Sequence, residues 1–191
     1  MKIEKLIIKN YKIFNDITIQ MNNDVNIFVG ENDSGKTTIL EALSIVLTGK
    51  LNGSAIISRL NPDWFNFEER KKYKESLESP APSDLPIIMI EAYLGNLNDG
   101  DIHLKKYEGS NNSLFEPSIG VKVEIKFDDE YSDTYKQLIK EKKISDIPVE
   151  LYKVEFRSFA NPDYYINTTS KKVAYRRLSS SAKAYLSASR S

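Results

Sequence analysis

Apolar and polar residues alternate along several short stretches of this chain, and each stretch predicts an element. Residues 2–9, KIEKLIIK, and 16–21, DITIQM, read as two strands, the second through Ile17, Ile19 and Met21 set against Thr18 and Gln20. Only six residues, Asn10 to Asn15, separate them, so an antiparallel hairpin is predicted. After the turn-forming NND comes VNIFV, residues 25–29, an apolar run that predicts a third strand leading straight into a glycine-rich loop. From Lys36 onward Ile39, Leu43, Val46 and Leu47 fall at helical spacing, with Gly49 as the stop.

Beyond residue 50 the pattern is looser. NPDWFNF reads as a turn and an aromatic cluster, EERKKYKESLE as a charged, solvated helix, and SPAPSDLP as a surface loop broken by prolines. IIMIEAYL predicts a strand, and residues 96–118, rich in Asn, Gly and Ser, predict a long loop or hairpin excursion. VKVEIKF places Val121, Val123, Ile125 and Phe127 on one face of another strand. YSDTYKQLIKEKK carries Tyr131, Tyr135, Leu138 and Ile139 on one helical stripe, and a last strand lies near ELYKVEF. The expected fold is α/β (or α+β), with an antiparallel N-terminal sheet and a strand–loop–helix unit at 25–48. At 191 residues the chain reads as one lobe. Its parts are a core over about 1–50, an insertion with loops over about 51–118, a strand–helix–strand over about 119–160 and a Ser-rich basic tail over 164–191.

Composition removes several classes of function. There are no cysteines, so disulfides and Cys-based zinc sites are excluded, and the single histidine, His103, reads as a surface loop residue. No signal peptide or membrane span is predicted, and a cytoplasmic protein is the plain reading. The net charge is zero but uneven: residues 1–163 hold 21 basic and 27 acidic groups, a balance of −6, against six basic residues beyond them. A protein-wide basic field for nucleic acid is therefore absent, while a local one is open to the tail. There Tyr164, Tyr165, Tyr175 and Tyr185 stand among lysines and arginines including Arg176 and Arg177. That tail reads as a contact to DNA backbone or as a segment packed on another lobe.

The chemistry is concentrated in Gly30-Glu31-Asn32-Asp33-Ser34-Gly35-Lys36-Thr37, a match to G-x-x-x-x-G-K-[ST]. Glycines let the backbone fold closely around phosphates, and the helix that starts near Lys36 adds its positive N-terminal end. The Lys36 ammonium suits the β- and γ-phosphates, the Thr37 hydroxyl suits the shell of a Mg²⁺ ion, and Thr38 can add a donor. The expected ligand is Mg-ATP, held by Gly30 to Thr38.

Residues 1–43, from MKIEKLIIKNYKIF through VGENDSGKTTILEAL, resemble the N-terminal lobe of the ABC-type ATPase heads of RecF, SMC and OLD-family (overcoming lysogenization defect) proteins. GENDSGKTT looks most like the OLD-family ATP-dependent endonucleases. The resemblance implies a P-loop NTPase fold, an ATP-dependent dimer of heads, and a role on DNA in repair or phage defence. It also implies that Lys12, in the turn NYKIF where such heads carry arginine, lies near the nucleotide; without the resemblance Lys12 is a solvated turn lysine. Asp33 replaces a glycine common in these loops and is expected to tolerate a left-handed backbone.

The chain is expected to lack the parts that cleave ATP. In VKVEIKFDDE the carboxylates Asp128, Asp129 and Glu130 follow a strand, but its strict alternation gives one wet face, unlike the central apolar strand that carries a catalytic carboxylate. The tail LSSSAKAYLSASRS has serines without the glycines of a signature motif. Gln20 and Gln137 are poorly placed to reach Mg²⁺, and Glu91 stands where such a glutamine is expected. The chain thus reads as an N-terminal lobe to be completed by a C-terminal lobe or partner chain. The competing readings are a small nucleotide or metabolite kinase with AYRRL as its lid, and a non-catalytic nucleotide-sensing subunit. A GTPase is disfavoured because neither Asn-Lys-x-Asp nor Asp-x-x-Gly occurs.

Overall fold

The computed structural model describes residues 2–78, 84–95 and 104–160. His103, the tail 164–191, and parts of the loops expected around 79–86 and 96–118 lie outside the described residues. The chain opens with the expected hairpin, β1 (Lys2–Tyr11) and β2 (Phe14–Gln20), paired antiparallel from Lys5 opposite Gln20 to Tyr11 opposite Phe14. Both strands run closer to the turn than their alternation suggests, leaving only Lys12 and Ile13 to connect them. Lys12 takes a left-handed φ of 51° there.

Helix α1 (Lys36–Thr48) ends at Gly49, whose left-handed φ of 68° lets its N–H bond back to the Ile45 carbonyl. A minimal hairpin follows, β3 (Lys50–Leu51) with β4 (Ser54–Ala55). Two 3₁₀ turns, Ile56–Arg59 and Pro62–Trp64, then lead to α2 (Phe67–Glu75), capped by the Asn66 side chain accepting from the Glu68 N–H at 3.1 Å. The remaining elements are β5 (Ile88–Gly95), β6 (Glu108–Gly109), β7 (Ser118–Phe127), α3 (Ser132–Lys140) and β8 (Tyr152–Ser158).

The strands form an antiparallel sheet in the order β2–β1–β5–β7, with β6 and β8 both pairing with β7. Register puts Ile8, Ile90, Val123 and Phe156 in one row across four strands, and Leu6, Ala92 and Val121 in another. This face meets the buried side of α1, including Ile39, Leu43, Val46 and Leu47, and forms the main core. The alternate residues face the other way. There Glu91 is buried and satisfied, accepting from the Ser113 N–H at 2.9 Å, the Ser113 hydroxyl at 2.6 Å and the Tyr93 hydroxyl at 3.1 Å. Those bonds pin the loop before β7 over a small satellite cluster of Ile7, Tyr93 and Phe159.

Two expected elements differ. Residues 25–29 form no strand: Val25, Ile27 and Val29 are 67%, 78% and 89% exposed, and only Phe28 packs against the core. A strand is defined by its neighbours' N–H and C=O groups, and among the described residues no ladder reaches this run. The stripe expected on α3 is narrower than its spacing suggests. Tyr131 sits in a 3₁₀ turn before the helix and is exposed, while Tyr135 alone is fully buried, its hydroxyl 3.2 Å from that of Tyr73 on α2.

Candidate functional site

The glycine-rich loop joins the extended segment 25–29 to the N-terminus of α1 and depends on two left-handed residues, Asp33 at φ 64° and Gly35 at φ 92°. Aspartate tolerates that region better than most residues, as expected. Gly35 needs its missing side chain for a second reason. A Cβ there would stand 2.5 Å from Ile13 Cδ1 and 2.5 Å from Phe14 Cζ, so the β1–β2 turn lies directly on the loop. A Cβ at Gly30 would meet the Ser34 hydroxyl at 2.6 Å, which is the close packing of a tightly wound loop.

Lys36 folds over this loop. Its ammonium donates to the Gly30 carbonyl at 2.7 Å, to the Glu31 carbonyl at 2.5 Å and to the Ser34 hydroxyl at 3.3 Å. The cation is thus positioned at the loop by backbone oxygens, beside the positive end of a 13-residue helix. Glu31, Asn32, Asp33 and Ser34 are exposed around it. Thr37 is exposed in the first turn of α1, whereas Thr38 is buried on the core side. The donor chemistry fits an oxyanion chain: a lysine, a hydroxyl at the rim, and helix N–H groups in a wound loop.

The Lys12 side chain is 30% exposed and reaches across to α1. Its ammonium pairs with Glu41 Oε2 on α1, and the Tyr11 hydroxyl donates to the same oxygen at 3.2 Å. Burial, and then the charge of Glu41, push the Tyr11 hydroxyl well above its usual range. The Lys12 N–H also bonds to the Trp64 carbonyl at 2.8 Å, and Asn66 Nδ2 donates to the Lys12 carbonyl at 3.0 Å. Glu41 is the residue that sequence reasoning passed over. It entered only as part of ILEAL, and no spacing rule links residue 41 to residue 12.

The other candidates are dispersed. Gln20 is exposed on β2, and Gln137 donates to Glu141 on the surface. Glu91 belongs to the buried network on the sheet face away from α1. Asp128 follows β7, a strand that runs antiparallel to its neighbours on both sides. Its side chain accepts from the Glu130 N–H and pairs with Lys153 at 3.1 Å. The Lys153 hydrogen bond is the main reason its carboxyl lies below the ordinary carboxylate range.

Comparison with known proteins agrees with the loop. Residues 1–186 match the family described as AAA ATPase domain. The DNA replication and repair protein RecF of Staphylococcus aureus, in strains JH9, Newman and Mu3, is 31% identical over 77 residues, covering 39% of this chain and 21% of RecF. The matched chain therefore spans about a fifth of the length of these curated relatives. Among the described residues no helix is long and apolar enough to cross a membrane.

Proposed function

This chain belongs to the AAA ATPase domain family, and we propose that it is the ATP-binding lobe of a DNA-acting ATPase of the OLD/RecF kind. One observation carries the reading: the Lys36 ammonium, already held at the mouth of a wound glycine loop on a helix N-terminus. When ATP binds, its phosphates would replace the Gly30 and Glu31 carbonyls as acceptors for Lys36. Backbone N–H groups of Gly30 to Thr38 would hold the β- and γ-phosphates, and the Thr37 hydroxyl would join the Mg²⁺ shell. Lys12 would supply a second cation by exchanging Glu41 for phosphate.

Hydrolysis is proposed to need a second lobe. Asp128 is engaged by Lys153, and the run 25–29, which joins no sheet among the described residues, has the composition of a strand. A C-terminal lobe or partner chain would pair with that run and bring the carboxylate that positions water. A dimer of such heads, closed by ATP, would then couple nucleotide state to DNA repair or to an endonuclease active in phage defence. The distant likeness to RecF supports the DNA-acting part of this reading.

The test is calorimetric titration of the chain with Mg-ATP. Saturable binding is expected, weakened roughly 100-fold by Lys36→Ala as a charged hydrogen-bonding partner is lost. The thermal midpoint should not move. Binding that survives the substitution undiminished would sink the proposal.

A further inference from the structure

The loop between β6 and β7, residues 110–117, carries Phe115 at a left-handed φ of 56° and 83% exposed, next to Leu114 at 38%. A bulky side chain rarely adopts that backbone, which persists only where the surroundings hold it. Here they do. The buried Asn112 side chain donates to the Glu116 carbonyl at 2.7 Å and to the Gly109 carbonyl at 3.3 Å. It also accepts from the Leu114 and Glu116 N–H groups at 3.1 and 3.3 Å. Buried Glu91 holds Ser113 from the sheet below. The loop is thus a stiff mount that keeps an aromatic ring out in water, flanked by the exposed Glu116.

The opposite relief lies on α2. Phe67, Arg70, Lys71, Lys74 and Glu75 line a groove of about 480 Å³, and Phe67 is 71% exposed in it. Three cations against one carboxylate give this groove a positive balance, and its volume admits an aromatic ring. Arg70 is tied to Asp63 at 2.5 Å and, through Nε, to Asp146 at 2.9 Å, which fixes that wall. Knob and groove are kept apart within one molecule. Through Tyr73, α2 joins the core on the α1 face, and it follows the Phe65 bridge to Tyr11 at the end of β1. The loop lies over the Glu91 face and leads into the start of β7, at the other end of the strands.

We propose that these two features dock copies of this chain head to tail. Leu114 and Phe115 of one copy enter the α2 groove of the next, where Phe115 packs on Phe67 and Glu116 faces Lys71 and Lys74. A contact between unlike surfaces leaves a knob and a groove free at its ends, so it grows into an open array or closes as a ring. The test is sedimentation equilibrium of the nucleotide-free chain from about 1 μM to about 1 mM, since so small a contact is weak. The mass is expected to rise with concentration above the 21.8 kDa of one chain. Phe115→Gly, which accepts the left-handed backbone and should not lower the thermal midpoint, is expected to stay monomeric, as is Phe67→Ala. An equimolar mixture of the two variants is expected to form a dimer and nothing larger, because together they retain one knob and one groove that match. An unaltered chain still monomeric at about 1 mM, a Phe115→Gly chain that associates, or a mixture that is anything but dimeric overturns the proposal. With no nucleotide present, none of these outcomes bears on the phosphate loop.

Discussion

Two apolar runs, residues 25–29 and 88–94, are similar in composition and end in opposite environments. In the second, Ile88, Ile90 and Ala92 are fully buried, with β1 on one side and β7 on the other. In the first, Val25, Ile27 and Val29 face outward, and no strand pairs with them among the described residues. Apolar composition expresses a preference for burial, but a strand also needs a neighbouring strand to pair with its backbone. Among the described residues the phosphate loop is held by the β1–β2 turn and α1. Its leading segment is left exposed.

Hydrogen exchange should show the contrast most strongly. Amides of β5 and β7 are expected to open only with global unfolding, which at about 5–15 kcal/mol slows exchange by many orders of magnitude, whereas those of Val25, Ile27 and Val29 exchange close to the rate of an open chain. Equal protection in both runs would break the comparison. Next in size, Ile90→Ala should cost about 2–5 kcal/mol in urea denaturation, because it empties a site enclosed on all sides. Ile27→Ala should shift stability by less than about 0.5 kcal/mol in the same experiment, the smallest effect expected here. A large loss at Ile27 would mean that the run is packed after all.

Between these extremes stands the polar clamp that fixes α2. Asp146 accepts from Arg70 Nε at 2.9 Å and from Arg70 Nη2 at 2.5 Å. Burial raises the Asp146 pKa, but the Arg70 hydrogen bonds and the Ile147 N–H outweigh it and hold the carboxyl below its ordinary value. A depressed carboxylate stabilises the fold above its unfolded pKa of about 3.9, and that contribution is lost as pH falls through the lower folded value. Asp146→Asn should therefore cost on the order of 1 kcal/mol at neutral pH, the gap closing in acid below about pH 4. A cost independent of pH would mean that shape rather than charge holds the clamp.

Much of the molecule is legible from local rules. The β1–β2 hairpin, α1 with its stop at Gly49, the strand at 88–94 and the inward face of Val121, Val123, Ile125 and Phe127 all follow from periodicity and turn residues. The loop is legible as well, down to the left-handed backbone at Asp33. Its surroundings were not. Nothing local distinguishes Phe67, exposed in the groove, from its buried neighbours Trp64 and Phe65. Nor does anything local couple Lys12 to Glu41, which lie 29 positions apart.

By itself the sequence determined that a hairpin opens the chain, that a helix runs from Lys36 to a stop at Gly49, and which eight residues form the glycine-lysine motif, because these depend on neighbours within a few positions. The tertiary structure decided that Val25, Ile27 and Val29 before the loop are exposed, that the hairpin turn closes over Gly35, and that Lys12 rests on Glu41. Each of those outcomes depends on which distant backbone edge or side chain arrives alongside, and periodicity along one segment carries no record of that.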